Sequence, residues 1–375
     1  MSYKISNGLL YVEGHFIAGY ELSIHDGHIV GIYPSGSRQE KSLDVGGSYV
    51  IPGMIDIHIH GAAGYDTIQP DPRGLSTIAR AVAQHGVTGF LPTAMTASVK
   101  EMAGMIRRSL LPTHGGAVIL GCHLEGPFLS KEKAGAQNPE YILPPSEEAF
   151  RRLTGGHSEQ LRIMTLDPSA PGALPFIEAH HRELTLSAGH TCADFEAADK
   201  AFRAGLRHIT HGYNAMPSLH HRAPGLLGAA LSRPGVTVEL IADLIHIHPS
   251  MLRLAYLAKG KHEICLVTDS IMVTGLPDGI YTSGGYTIHS RHGEARLEDG
   301  TLAGSTLTLD RALRNMVEVV RVPVEDAVLM VTANPARECG EHRRGYIRPG
   351  YAADLTVLDR DLQVKGCIIG GRNIL

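Results

Sequence analysis

The chain has 375 residues, 43% hydrophobic and 19% charged, with 34 basic against 38 acidic side chains and a net charge of −4. This balance excludes a basic nucleic-acid or membrane-surface binder, and no apolar run approaches the roughly 18 residues of a membrane span. A core of substantial size is expected, in one large barrel with insertions or in two smaller units.

From the N-terminus, Leu9–Val12, Phe16–Ile24 and His28–Tyr33 read as short strands separated by Glu13-Gly14 and Asp26-Gly27 turns. Asp354–Leu358 and Val364–Ile369 read the same way near the other end. Residues 1–50 and 350–375 are therefore expected to form one small β-sandwich-like domain. Between them, over residues 51–349, short apolar strands alternate with amphipathic helices. The strands are Val50–Ile59, Gly86–Pro92, Ala117–Leu124, Leu161–Leu166, Leu184–Ala188, His208–Thr210, Thr237–Ala242 and Ile264–Thr268. The helices include Leu75–Gln84, Glu147–Leu153, Phe195–Ala204, Pro249–Ala258 and Leu309–Val320. Eight strands, each followed by a helical segment, predict an α/β fold of the (β/α)8 TIM-barrel type rather than a doubly wound sheet. A β-rich insertion from Asp278 to Gly300 precedes the last helix. The five cysteines (Cys122, Cys192, Cys265, Cys339, Cys367) are scattered without a CxxC pair, against a disulfide framework or a zinc ribbon. Met1-Ser2-Tyr3-Lys4 has none of the apolar stretch of a signal peptide, so a cytoplasmic location is expected.

The 22 histidines acquire meaning only from where they fall. Ile57-His58-Ile59-His60 closes the first strand, and alternation puts both imidazoles on one side. Glu125 follows the third strand, His190 the fifth, His211 the sixth and Asp269 the eighth. In a βα barrel these carboxyl ends converge on the active-site face. A lone histidine at a strand end is usually a satisfied polar residue, but five such strand ends are hard to explain as packing. Imidazole and carboxylate donors suit Zn²⁺, Fe²⁺ or Mn²⁺. His123, within the third strand, reads as structural.

Pro52-Gly53-Met54-Ile55-Asp56-Ile57-His58-Ile59-His60-Gly61 resembles the opening motif of the amidohydrolase superfamily. His123-Leu124-Glu125-Gly126-Pro127-Phe128, Thr210-His211-Gly212-Tyr213-Asn214-Ala215-Met216 and Leu302-Ala303-Gly304-Ser305-Thr306 resemble motifs of the N-acetylglucosamine-6-phosphate deacetylase family. The resemblance implies metal ligation by Glu125, His190 and His211, with His58 and His60 holding a second ion. One or two divalent ions per subunit follow, zinc first, with iron, manganese or cobalt as alternatives. It implies Asp269 as catalytic acid/base, and Ala136, Gln137, Asn214, Ala215, Arg222, His246, Leu302, Ala303 and Gly304 as substrate-binding positions. It also implies a homodimer in which Arg222 reaches the neighbouring site. The expected reaction is deacetylation of an N-acetylhexosamine 6-phosphate, N-acetylglucosamine 6-phosphate first. The alternatives are N-acetylgalactosamine 6-phosphate, a 6-sulfated N-acetylhexosamine, or, more remotely, a non-catalytic sugar-phosphate binding protein. Three departures from the family pattern fall in substrate-binding segments: Gln137 replaces a histidine, Ala223 a glutamate and Leu244 a glycine.

Overall fold

The computed structural model describes residues 2–39 and 41–375. Eight parallel strands succeed one another in sequence order: β1 (Met54–Ile59), β2 (Val87–Ala94), β3 (Cys122–Phe128), β4 (Leu161–Leu166), β5 (Thr185–Ala188), β6 (His208–Ile209), β7 (Thr237–Leu240) and β8 (Ile264–Leu266). A parallel bridge between Ile59 and Ser270 joins the chain just past β8 back to β1, which brings the sheet round to its first strand. Each strand is followed by a helix, from Gly74–Ala83 after β1 to Leu309–Glu318 after β8. The fold is the expected (β/α)8 barrel. All six residues of β1 are buried, because one face lines the barrel and the other packs under helices. Burying one such Ile or Leu stabilises the fold by about 1.5–3 kcal/mol.

Local chemistry sets the helix limits. Ser98 and Glu101 form a reciprocal capping box at Val99–Ser109. Asp194 caps Phe195–Ala204, which ends on Gly205 at φ 118°.

The chain ends meet in two sheets. One runs 28–34, 20–25, 2–6, 42–44 in spatial order, and the other 372–373, 364–369, 355–358, 49–52, 9–12, 15–17. Ile5, Leu22 and Ile24 from the first and Leu10, Val50 and Leu355 from the second share one core.

Three expected strands are divided differently. Phe16–Ile24 breaks at Gly19 (φ 79°) into His15–Ile17 and Tyr20–His25, which enter different sheets. Val50–Ile59 changes sheet at Gly53: Tyr49–Pro52 pairs with Leu355–Leu358, and only Met54–Ile59 belongs to the barrel. A Cβ at residue 53 would lie 2.1 Å from Thr88 Oγ1, so only glycine admits this crossing. Ala117–Leu124 is interrupted after Val118–Ile119, and β3 then continues to Phe128, which places Glu125 within the strand. The insertion forms a three-stranded antiparallel sheet, 279–283, 286–291 and 294–296.

Candidate metal centre

His58 lies in β1 and His60 one step past its end, both buried, with their Nε2 atoms 3.2 Å apart. Period-two alternation turns both rings to the same side. His190, His211 and Asp269 follow β5, β6 and β8, each with left-handed backbone at φ 47°, 31° and 48°. Such conformations cost about 1–3 kcal/mol per non-glycine residue and persist only where surrounding bonds enforce them. At Asp269, the backbone N–H donates to His58 O at 2.9 Å and the carbonyl accepts from Ser305 N–H at 2.8 Å. At His211, the N–H donates to the Glu239 carboxylate at 3.1 Å.

Besides a group of His58, His123 and Glu239, the expected donors form two trios, His58–His60–Glu125 and Glu125–His190–His211, and within each group the ligand atoms lie no more than 4.8 Å apart. Glu125 belongs to both trios. Its Oε1 is 2.8 Å from His211 Nε2 and 3.1 Å from His190 Nε2, and its Oε2 is 3.3 Å from His60 Nε2. Asp269 Oδ1 faces His60 Nε2 at 3.1 Å and His58 Nε2 at 3.5 Å.

The outward Nδ1 atoms test whether this set suits a cation. His60 Nδ1 lies 3.1 Å from Thr93 O, His190 Nδ1 2.8 Å from Lys133 O and His58 Nδ1 2.9 Å from Glu239 Oε2. Carbonyls and carboxylates only accept, so each Nδ1 carries the proton and each Nε2 points its lone pair inward. Lone pairs then face each other across 3.2 Å between His58 and His60, a repulsion that a positive charge between them removes. Residues and geometry therefore fit one or two divalent ions with Glu125 shared.

The electrostatics agree. Burial pushes the Glu125 carboxyl up, but His190 and His58 outweigh it and hold it well below the usual range. Burial opposes protonation of His58, yet Glu239, Asp269 and Glu125 raise it to about 9. Burial drives His123 down to about 3, with the charge of His58 adding to the effect. His123 spends its nitrogens on Thr165 Oγ1 at 2.8 Å and Thr93 Oγ1 at 3.4 Å, which leaves it a structural residue.

The amidohydrolase family model matches residues 49–374. The N-acetylglucosamine-6-phosphate deacetylase of Bacillus subtilis (strain 168) is 36% identical over 97% of this chain and 94% of its own length. The chain belongs to the N-acetylglucosamine-6-phosphate deacetylase family. An N-acetylgalactosamine-6-phosphate deacetylase of Escherichia coli O157:H7 is 34% identical over 99% of both chains. The solved Mycobacterium smegmatis N-acetyl-D-glucosamine-6-phosphate deacetylase, a variant in complex with N-acetyl-D-glucosamine-6-phosphate, superposes with a TM-score of 0.93 at 28% identity, covering 100% of this chain and 99% of its own.

Against this family pattern the substrate side divides. A cavity of about 490 Å³ opens on the donors and is lined by Ala136, Gln137, Asn214, Ala215, His246, Leu302 and Gly304. Its size is in the range of small-molecule sites. Ala303 lines an adjoining cavity instead. Arg222 is exposed, donates to His221 Nε2 at 2.8 Å and does not line the cavity of its own chain. Gln137 is 2% exposed; its Nε2 donates to Glu125 Oε2 and its Oε1 accepts from Thr96 N–H at 2.6 Å. The carboxamide thus braces the Glu125 carboxylate. Leu244 keeps a glycine-like φ of 70°. The turn survives because Asp243 Oδ1 accepts from the N–H of Ile245 at 2.9 Å and of His246 at 2.8 Å. Asp243 Oδ2 holds His246 Nδ1 at 2.6 Å.

Sequence reasoning missed Lys133 and Arg296, two cations on the cavity wall, and Glu239 beneath it. Arg296 lies in the insertion and reaches the site through its backbone bridge to Leu302, which no local pattern announces. Glu239 did leave a signal: a carboxylate inside the apolar run 237–242 must find a buried partner.

Proposed function

We propose that the protein hydrolyses the N-acetyl group of an N-acetylhexosamine 6-phosphate, N-acetylglucosamine 6-phosphate first, to the amino sugar phosphate and acetate. The observation that carries this reading is the pair of donor trios sharing Glu125, with Asp269 against the first pair and the cavity opening above. A divalent cation held there supplies Lewis-acid polarisation and acidifies water. Asp269 accepts a proton from the attacking water as the C–O bond forms on the acetyl carbon. It then delivers that proton to the amide nitrogen as the C–N bond breaks, because an unprotonated amine anion is a poor leaving group. Burial raises the Asp269 carboxyl, but His58 and His60 outweigh it and hold the carboxyl low, so it stands ready as the base. His246, fixed by Asp243 on the cavity wall, is the contact proposed for the 6-substituent. Zinc is the first candidate ion.

The proposal includes a homodimer, supported by the exposure of Arg222 and its absence from the cavity of its own chain. Among the described residues no helix is long and apolar enough to cross a membrane, and a cytoplasmic location belongs to the same proposal. The galactosamine epimer is the second reading, favoured by the Escherichia coli relative and by the substitutions at Gln137, Ala223 and Leu244. The same substitutions leave a 6-sulfate as a further variant.

The test is catalytic efficiency on the 6-phosphate, the 6-sulfate and the unsubstituted sugar of both epimers, for wild type and Arg222→Ala. The 6-phosphate should lead. Arg222→Ala should cost the charged sugar about 1.5–3 kcal/mol, ten- to a hundredfold. Equal use of the uncharged sugar, unchanged by the substitution, removes anion recognition. Preference for sulfate keeps the mechanism and changes the substrate.

A further inference from the structure

Glu239 on β7 is completely buried, outside the two trios that share Glu125, and touches ligand-bearing segments from two other strands. Its Oε2 accepts from His58 Nδ1 at 2.9 Å, and the same oxygen accepts the backbone N–H of His211 at 3.1 Å. Its backbone carbonyl accepts from Gly212 N–H at 2.8 Å. One residue therefore grips the His58 ring from behind and clasps the chain at His211, the point of left-handed backbone at φ 31°. His60 and His190 rest their Nδ1 atoms on neutral backbone carbonyls, whereas His58 rests on a carboxylate. The other Glu239 oxygen lies 3.9 Å from His208 Nδ1 and has no hydrogen-bond partner among the described residues.

We infer that Glu239 is a positioning residue of the metal centre: it fixes the His58 ring with Nε2 toward the ion and couples that ligand to the backbone of His211. The inference rests on the reading of His58 and His211 as ligands. A carboxylate behind a ligating imidazole sets the ring's tautomer and strengthens it as a donor, and loss of such a partner typically costs 10–100-fold in metal affinity. Nothing in Glu239 reaches the cavity, so its effect passes through the ligands.

The experiment compares wild type, Glu239→Gln, Glu239→Asp and His58→Asn, each loaded with Zn²⁺ or Co²⁺. Bound metal is counted by elemental analysis, affinity is measured by chelator competition, and the Co²⁺ visible spectrum is recorded. Glu239→Gln should fold and lose 10–100-fold in affinity at the His58–His60 site. Its Co²⁺ spectrum should change, and Glu239→Asp should recover part of the loss. Wild-type affinity and spectrum in Glu239→Gln, with His58→Asn losing an ion, overturn the role of Glu239 alone. Unchanged metal binding in His58→Asn overturns the ligand assignment beneath it. Should neither Glu239 variant fold, the ring ¹⁵N resonances of wild-type protein decide. A proton on His58 Nδ1 in the metal-loaded protein supports the inference, and one on Nε2 refutes it.

Discussion

Removing the Gln137 side chain separates two roles that this buried carboxamide could play. Gln137→Ala orphans the Thr96 amide and takes one donor from Glu125, both in a buried setting. An unsatisfied buried amide costs about 1–3 kcal/mol and a lost hydrogen bond to a charged group about 1.5–3 kcal/mol. Water entering from the adjoining cavity offsets part of this, which places the net loss near 3 kcal/mol. At about 2.1 cal/mol/K per residue, 375 residues have an unfolding entropy near 0.8 kcal/mol/K, so Tm should fall by about 4 °C. Freed of its brace, Glu125 should also hold metal less tightly. Calorimetry of metal-loaded and chelator-treated protein, with kcat/KM alongside, measures both effects. If Gln137 served only to polarise the substrate carbonyl, turnover would fall by about 10²–10³ with Tm unmoved. That pattern, or wild-type values throughout, refutes the bracing role.

Asp269→Asn should retain fold and metal yet lose about 10²–10⁴ in kcat, checked by steady-state kinetics and elemental analysis; near-normal turnover moves the proton shuttle elsewhere. Gly304→Ala puts a Cβ 2.6 Å from Ile271 Cγ2 and 2.8 Å from Asp269 O at a φ of 62°, so it should lower both Tm and kcat. Overpacking of this kind costs about 1–3 kcal/mol, and an unchanged Tm would show that the loop yields freely. Burial pushes the thiols of Cys122, Cys339 and Cys367 up to about 12. At pH 8, native protein should therefore expose only Cys192 to a thiol reagent, and denatured protein all five cysteines. Because the unfolded thiols ionise first, stability should fall as pH rises from about 9 toward 12, which denaturant titration at a pH series measures.

Some of this protein is written in short-range patterns. Alternation along Ile57-His58-Ile59-His60 is a property of four consecutive residues, and it turns both rings one way whatever surrounds them. The barrel follows from the repeated strand–helix rhythm, because a parallel sheet needs a crossover after every strand. Those two facts together predict that His190, His211 and Asp269 meet His58 and His60 at one mouth, and they do. Tertiary structure decided what depends on a partner distant in the chain. The chain crosses between sheets at Gly53 because of Thr88, and Tyr20–His25 leaves His15–Ile17 because Ser2–Ser6 offers it an edge. Gln137 braces Glu125 because Thr96 waits across the cavity wall for its other end. Arg222 stays at the surface, since its loop ends outside its own chain's cavity. Glu239 shows the division most plainly: a carboxylate in an apolar strand announces that some partner must exist. Only folding, which closes 181 residues of chain, makes that partner His58.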